Sequence, residues 1–225
     1  MAPTPTPPAT QLYLVLELAG GEPSIERLAP LFDAKRVPSL LIVPDAARKP
    51  DPASLEALIA VAQHSDVAVL IADDATLAAD VGADGVHLCA SGTVERSPVE
   101  RYQQARDLLG ANAIIGVDPG ASRHDAMALG EAGADYIAFG PLGETGSQEP
   151  LLPLETQFDI VSWWADIFEI PVVALDIPDD ATSSIFAQAR ADFVARKIPL
   201  GMSAADLRDW LERATSSLKV DPIVG

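Results

Sequence analysis

The sequence predicts a single α/β domain, a (β/α)8 TIM barrel. Eight short apolar runs alternate with longer amphipathic stretches along the chain. Parallel strands need such crossover segments, and strands that are buried on both faces read as nearly continuous apolar runs. The length of 225 residues suits one barrel and is too short for two full-sized domains with a linker.

The eight apolar runs are the candidate strands. Eight βα units either close into a barrel or lie in an open, doubly wound sheet, and the count of eight favours closure. The first run is followed by Leu18–Gly21 (LAGG) and not by the G-x-G-x-x-G of a dinucleotide-binding sheet. The predicted strands are Leu12–Leu16, Ser39–Val43, Val67–Ile71, Gly85–Leu88, Ile114–Val117, Tyr136–Phe139, Val172–Leu175 and Phe193–Arg196.

Helical patterns occupy most of the gaps between these strands, and local signals mark several of their ends. Ser97 is a suitable N-cap with Pro98 in the first turn, and Gly110 ends that helix. Ser203 caps a last helix that extends to about Ser216. The other predicted helices are Ser54–Gln63, Thr76–Val81, Arg123–Ala132, Gln157–Phe168 and Asp180–Arg190.

Charge and composition limit the partners. The hydrophobic share of 48% is enough for a substantial core. The formal net charge of −18 repels phosphate backbones and anionic lipids, so nucleic acid and membranes are excluded as expected partners. Cys89 is the one cysteine, which rules out an internal disulfide and fits a reducing cytoplasm.

The domain organisation follows from the ends of the chain. Residues 1–10 (MAPTPTPPAT) are rich in proline and predict a disordered tail, without the basic start and apolar run of a signal peptide. Residues 11–216 form the predicted barrel, and residues 217–225 form a second tail. No apolar run approaches the roughly 18 residues that a membrane-spanning helix needs.

Three segments form a recognisable pattern: Val81–Leu88 (VGADGVHL), Ile114–Val117 (IIGV) and Gly133–Pro141 (GADYIAFGP). In this order and spacing they resemble thiamine phosphate synthase and its relative, the TenI-type thiazole tautomerase. Pro171–Ala174 and Ala191–Ala195 resemble the seventh and eighth strands of that family. The resemblance implies a (β/α)8 barrel of thiamine biosynthesis that joins a hydroxymethylpyrimidine diphosphate to a thiazole phosphate with the help of magnesium.

The best-matched segments also have a structural meaning. Gly82 and Gly133 each follow a helix and suit a left-handed cap. Asp84 and Asp135 come two residues later, where a carboxylate can bond nearby backbone amides in the turn. These segments therefore predict the corners of a barrel and say little about chemistry.

The resemblance implies three inherited ligands. Asp73 matches the aspartate that binds Mg²⁺ after the third strand, and Thr145 matches a phosphate-binding threonine after the sixth strand. Ser147 is a close substitute for a second threonine in the same loop. If the chain is an enzyme, Mg²⁺ on Asp73 would stabilise the departing diphosphate in a dissociative displacement, with Thr145 and Ser147 orienting phosphate oxygens.

Other positions depart from the family pattern. After the second strand, Ile42, Pro44 and Ala46 stand where the family has Gln-x-Arg-x-Lys. After the fourth strand, Cys89–Gly92 lacks the second magnesium carboxylate, and after the fifth strand, Asp118–Gly120 replaces Ser-x-His. Because a leaving diphosphate needs cations around it, these changes argue against efficient synthase activity.

Charged residues take the place of the missing ligands. Arg196 and Lys197 stand at the end of the eighth strand, a region where barrel enzymes often bind a phosphate. Adjacent residues on a strand point to opposite faces, so at most one of them faces the barrel opening. Carboxylates at the strand ends could bind a divalent cation through oxygen or favour a cationic or neutral ligand. They are Glu17, Asp45, Asp73, Asp118 and Asp176, with Glu144 in the sixth loop.

Two reactive side chains and a tryptophan pair have structural interpretations. His87 lies inside the fourth strand and is expected to be packed and hydrogen-bonded, and Cys89 is expected to fill space as a free thiol.

Trp163 and Trp164 are adjacent on a helix, so one packs on the barrel while the other is exposed, where it could meet a second subunit. The sequence therefore leaves both a monomer and a homo-oligomer as alternatives.

Two functions remain open at this point. The first is an enzyme of thiamine metabolism that uses Asp73, Thr145 and Ser147. The second is a non-catalytic barrel that binds a phosphorylated or thiamine-related ligand, or a partner protein, through its altered rim, with Arg196 or Lys197 as the binding cation.

Overall fold

The computed structural model describes residues 9–18, 24–33, 35–45, 50–90, 96–140, 142 and 152–219. Within them, eight parallel strands form a closed barrel in chain order, and the last strand pairs with the first. The strands are β1 (Gln11–Glu17), β2 (Ser39–Val43), β3 (Ala68–Ala72), β4 (Gly85–Leu88), β5 (Ile114–Val117), β6 (Tyr136–Phe139), β7 (Val172–Ala174) and β8 (Phe193–Lys197). The predicted (β/α)8 TIM barrel is confirmed.

A helix follows each strand. In the described ranges, none of the helices has the length and apolar character to cross a membrane. The helices are α1 (Ile25–Leu28, continued by a 3-10 turn over Ala29–Leu31), α2 (Pro52–His64), α3 (Ala75–Asp80), α4 (Pro98–Leu109), α5 (Arg123–Ala132), α6 (Leu154–Ile167), α7 (Asp180–Gln188) and α8 (Ala204–Ser217).

The predicted strands match the observed ones to within one residue at each end. The bounds of β2, β4, β5 and β6 are those predicted. β3 begins at Ala68 and not at Val67, because the Val67 amide bonds the Ala62 carbonyl at the end of α2. Asp66, with a left-handed φ of 58°, reverses the chain at the same corner.

The helices with polar caps are the ones that were predicted best. Ser97 forms a capping box with Glu100 at the start of α4, and Ser203 caps α8, as expected. α6 begins three residues before its predicted start, since Pro153 serves as its entry residue. α7 ends at Gln188 and not at Arg190, because Arg190 has a left-handed φ of 63°.

The core has two layers, one inside the barrel and one between the strands and the helices. Tyr13, Val15 and Ala195 belong to the inner cluster. Their strand neighbours Leu12 and Leu14 pack in the outer cluster against the helices. This alternation follows from the two-residue period of a strand. It decides which side chains at the strand ends face the barrel opening.

Asp84 and Asp135 close two barrel corners, in a way that corrects the predicted turn bond. Asp84 Oδ2 accepts the amide of Val69 on the neighbouring strand β3 at 2.7 Å. Asp135 Oδ2 accepts the amide of Ile115 on β5, also at 2.7 Å. Asp192 does the same for Val172. These carboxylates thus join the even-numbered strands to their odd-numbered neighbours and are not confined to their own turns.

Replacing Asp135 with alanine is expected to destabilise the barrel by about 1–3 kcal/mol, because the Ile115 amide and the Arg106 guanidinium both lose their acceptor. Asp135→Asn is the matched control, since its amide oxygen can still accept from Ile115. Urea unfolding followed by circular dichroism measures both variants. An equal loss of unfolding free energy in the two variants would contradict the assigned hydrogen bond between Asp135 and the Ile115 amide.

The two predicted tails fall largely on residues that the structure does not describe. Residues 1–8 and 220–225 lie outside the described ranges, so the tail assignments stay predictions. On the described side, Thr10 Oγ1 donates to the Ala191 carbonyl at 2.7 Å, and α8 continues to Ser217.

Candidate functional site

The carboxyl-terminal ends of the strands meet at one end of the barrel, which is here called the mouth. Barrel enzymes carry their active sites at this end. The described mouth residues with charged or reactive side chains are Glu17, Asp45, Asp73, Cys89, Asp118, Asp176 and Lys197.

Strand pairing shows which of the two cations of β8 faces the mouth. Lys197 pairs in register with Val15, which belongs to the inner cluster. Arg196 pairs with Leu14, which belongs to the outer cluster. Lys197 therefore faces the mouth, and Arg196 faces the helices.

Arg196 is occupied within the helical layer. Its Nη1 donates to Asp180 Oδ1 at 2.9 Å and to Ser183 Oγ at 3.0 Å, and its guanidinium carbon lies 5.8 Å from the centre of the Trp210 ring. With this residue only 6% exposed, Arg196 ties β8 to α7 and α8. Arg196 therefore lies on the helix side of β8 and not at the mouth, and its role in substrate binding stays a prediction.

Lys197 is held between two carboxylates at the mouth. Its Nζ lies 2.9 Å from Glu17 Oε1 and 3.0 Å from Asp176 Oδ1. Partial burial lowers the pKa of Lys197, but the hydrogen bonds to Glu17 and Asp176 outweigh it, so the pKa lies above its usual value. The lysine stays protonated, and its charge is already balanced by two acidic neighbours.

Asp73 sits in a closed ring of hydrogen bonds with two partners. Its Oδ1 accepts the Cys89 amide at 2.8 Å and a guanidinium N–H of Arg101, also at 2.8 Å. Arg101 in turn donates to the Cys89 carbonyl at 2.7 Å. Asp73 has a left-handed φ of 57°, and its carboxylate contacts Cys89, the residue that follows β4. Arg101 was not among the residues that the sequence singled out.

Asp118 is a buried carboxyl group at the end of β5. Only 3% of the residue is exposed, and one carboxyl oxygen accepts the Gly120 amide at 2.7 Å. Burial raises the pKa of Asp118 to about 7, the Gly120 and Ala90 amides oppose the shift, and the charge of Asp73 adds to it. The side chain therefore exchanges a proton near neutral pH.

The described residues do not fit a magnesium site. Mg²⁺ needs near-ideal octahedral oxygen coordination and usually takes one or two carboxylates together with substrate phosphates. The Oδ1 of Asp73 already accepts from Cys89 and Arg101, and Asp118 is buried and partly protonated. In the described part of the chain, no three His, Cys, Asp or Glu side chains gather as metal ligands. Magnesium at Asp73 stays a prediction that this arrangement disfavours.

The barrel interior below the mouth holds a chain of polar rings. His87 Nδ1 and the Tyr136 hydroxyl are 2.9 Å apart, and the Tyr136 and Tyr13 hydroxyls are also 2.9 Å apart. Burial, followed by the charge of Arg101, lowers the pKa of His87 to about 3. His87 is thus packed and hydrogen-bonded, as predicted, and it is neutral.

Cys89 is a free thiol in the same interior cluster. Burial, reinforced by the carboxylate of Asp73, raises the pKa of this thiol well above its usual value. A thiol that stays protonated is a poor nucleophile. This supports the interpretation of Cys89 as a space-filling residue.

The remaining predicted ligands lie in the loop after β6. Thr145 and Ser147 fall outside the described residues, so their roles stay predictions. A contact at the end of β6 is described: Gln157 on α6 donates to the Phe139 carbonyl at 2.8 Å and to the Leu175 carbonyl at 2.7 Å. This buried amide joins the ends of β6 and β7. Sequence reasoning missed it, since nothing local distinguishes Gln157 from a surface glutamine.

Comparison with known proteins adds the family context. Residues 44–197 match the family model described as thiamine monophosphate synthase. A protein of Erythrobacter litoralis called thiamine-phosphate synthase is 39% identical over 202 residues, which cover 87% of this chain and 89% of that protein. One of the same name from Rhodospirillum centenum is 41% identical over 142 residues, 63% of this chain and 64% of that protein.

A solved structure resembles the whole fold. The thiamine phosphate pyrophosphorylase of Pyrococcus furiosus superposes with a TM-score of 0.69 at 20% identity. The superposition covers 92% of this chain and 95% of the other. At that identity the likeness supports the fold alone.

Proposed function

Because the chain belongs to the thiamine monophosphate synthase family, we propose that it binds a phosphorylated pyrimidine or thiazole compound at its mouth and no longer synthesises thiamine phosphate efficiently. The observation that carries the proposal is the pairing of Lys197 with Glu17 and Asp176. A diphosphate that approached Lys197 would also meet two carboxylates, each about 3 Å from the ammonium group of the lysine.

The charges at the mouth explain the expected loss of activity. Departure of a diphosphate requires cations at the developing negative charge. Arg101 pairs with Asp73, and Lys197 pairs with two acidic side chains, so these two described cations have less charge to offer a diphosphate than unpaired cations would. One missing cationic contact typically costs about 2–4 kcal/mol of transition-state stabilisation, or roughly 30- to 1000-fold in rate.

A smaller ligand suits this mouth better than a diphosphate. A thiazole phosphate or thiamine phosphate carries less charge than the pyrimidine diphosphate, and the thiazolium ring of thiamine phosphate is itself a cation. Glu17 and Asp176 would favour that ring, while Lys197 and Arg101 meet the monophosphate. The ligand is therefore expected to be the thiazole-bearing compound.

Isothermal titration with thiazole phosphate, thiamine phosphate and the pyrimidine diphosphate tests the proposal, each with and without Mg²⁺. We expect binding of at least one thiazole-bearing compound and little binding of the diphosphate. In a turnover assay that compares the two proteins, this chain is expected to form thiamine phosphate at least about 1000-fold more slowly than the Rhodospirillum centenum protein.

Two results would overturn the proposal. Micromolar, Mg²⁺-dependent binding of the pyrimidine diphosphate with matching turnover would restore an active synthase. Failure of all three compounds to bind would leave a barrel whose rim serves another ligand or a partner protein.

A further inference from the structure

Two arginines of α4 pair with aspartates at opposite ends of the barrel. Arg106 bonds Asp135 at the amino-terminal end and also donates to the carbonyls of Gly110 and Ala113. Arg101 bonds Asp73 at the mouth and donates to the carbonyl of Cys89. Arg106 thus has the contacts of a structural clamp, while Arg101 has fewer contacts and lies at the end of the barrel where ligands bind.

The hydrogen bonds of Asp73 leave little room for a metal ion on its bonded oxygen. An oxygen that accepts from both Cys89 and Arg101 uses its two lone-pair directions for N–H donors. A divalent cation at the other oxygen would lie within a few ångströms of a guanidinium that cannot lose its charge. Arg101 therefore competes with a metal for the same carboxylate, both sterically and electrostatically.

The guanidinium also keeps donors for a ligand. An arginine has five N–H groups, and the contacts to Asp73 and Cys89 engage two of them. The side chain is 23% exposed, and the Asp73 side chain beside it is 49% exposed, so solvent and small anions reach the pair. A carboxylate on one edge of a guanidinium fixes its plane and presents the remaining donors in a defined direction.

We propose that Arg101 takes the place of a divalent metal at Asp73, so that the mouth recognises the phosphate of its ligand through a guanidinium and without magnesium. This deepens the proposed function and rests on it for the identity of the anion. The metal part does not rest on it, because Asp73 is occupied whether or not an organic ligand binds.

A titration with Mn²⁺, read as the loss of the free-ion signal in electron paramagnetic resonance, tests the metal part. We expect no saturable site in the unmodified chain at up to millimolar Mn²⁺. Arg101→Met is expected to gain a site that the double variant Asp73→Asn, Arg101→Met lacks. A wild-type site that Asp73→Asn abolishes would overturn the inference, as would an Arg101→Met variant that stays without metal.

A second titration, with inorganic phosphate in the presence of EDTA, tests the anion part. We expect phosphate to bind the unmodified chain without metal. Binding to Arg101→Met is expected to be at least about tenfold weaker, because this variant lacks one charge-assisted hydrogen-bonding group. Arg96→Met is the matched control, since Arg96 is an exposed arginine beside α4 whose bonded partner is Gln104. Equal weakening in both arginine variants, or phosphate binding that needs Mg²⁺, would overturn it.

Arg101→Lys is a second variant that keeps the test valid if Arg101→Met does not fold. It keeps a cation beside Asp73 but removes the planar donor set. We expect this variant to remain free of Mn²⁺ and to bind phosphate more weakly than the unmodified chain. Mn²⁺ binding by the lysine variant would contradict the exclusion of metal by charge. Absence of organic ligand binding, by contrast, would count against the proposed function and leave the Mn²⁺ result intact.

Discussion

Replacing Trp164 with alanine is expected to lower the free energy of unfolding by about 3–5 kcal/mol. The Trp164 ring is fully buried, stacks on Phe168 at a centroid distance of 4.1 Å and meets Phe139 edge-on at 6.3 Å. Its indole N–H donates to the Ile170 carbonyl at 2.8 Å. The alanine variant loses this apolar contact area and leaves that carbonyl without its donor.

The neighbouring tryptophan is a matched control for this prediction. Trp163 is partly buried, and the Arg123 guanidinium lies 4.6 Å from its ring centre. Trp163→Ala should cost less, about 1–2 kcal/mol, since exposed cation–π pairs and half-buried rings contribute less. Urea unfolding of both variants measures the difference. Similar losses for the two tryptophans would mean that α6 does not anchor the barrel through Trp164.

The same pair shows what the sequence could and could not predict about packing. Adjacency on a helix is enough to predict that the two tryptophans face different directions and that one of them packs on the barrel. The expectation that the other is exposed is wrong, because Trp163 is partly buried and packs against the edge of the core. Which of them is buried depends on the rotation of α6, and this rotation is set by contacts with Phe139 on β6 and Phe168 beyond the helix. The contact with Phe139 is tertiary and leaves no local signature, whereas Phe168 lies only four residues after Trp164.

Elements with strong local signals were predicted closely. The bounds of α4 follow from Ser97, Pro98 and Gly110, each of which acts on its own neighbours. α1 was not predicted, because it has four residues and its Ser24 cap makes no side-chain hydrogen bond. The end of α7 was also missed, since Arg190 adopts a left-handed conformation that is ordinarily reserved for glycine or asparagine.

The candidate site was predictable in its residue types and not in its connections. The period of a strand predicts that at most one of Arg196 and Lys197 faces the mouth, but only the register with Leu14 and Val15 decides between them. The pair of Asp73 and Arg101 joins residues 28 positions apart. Sequence reasoning compared Asp73 with a family pattern that has a metal at this position and had no reason to examine α4.

Asp118 is expected to make the stability of the barrel fall between about pH 4 and pH 7. Its carboxyl ionises at about 3.8 in the unfolded chain, while burial raises the pKa in the folded state to about 7. In that window the folded state holds a proton that the unfolded state has released. A rise in pH therefore favours unfolding until the folded carboxyl also ionises. Each pKa unit corresponds to about 1.4 kcal/mol, so the loss is at most about 4 kcal/mol.

Asp118→Asn removes this contribution while keeping an oxygen that can accept the Gly120 amide. The variant is expected to gain stability relative to the unmodified chain as the pH rises from 4 to 7, and the difference should level off above that. Asp107→Asn, at an exposed position on α4, is the control and should leave the pH profile unchanged. Unfolding by urea at pH 5, 6, 7 and 8 gives the profiles, and parallel curves for Asp118→Asn and the unmodified chain would refute the assignment.

A carboxyl that lowers stability at neutral pH would not be expected at a purely structural position. Asparagine or serine could accept the same backbone amides at the end of β5 without a charge to bury. Buried groups whose pKa is shifted toward neutrality cluster at functional sites, and stability is commonly given up where a site needs such a group. The Asp118 amide donates to the Leu88 carbonyl, and the next residue, Cys89, donates its amide to Asp73, so Asp118 lies close to this pair at the mouth. A protonation step there would change the charge that Arg101 must balance, so ligand binding at the mouth should vary with pH through Asp118.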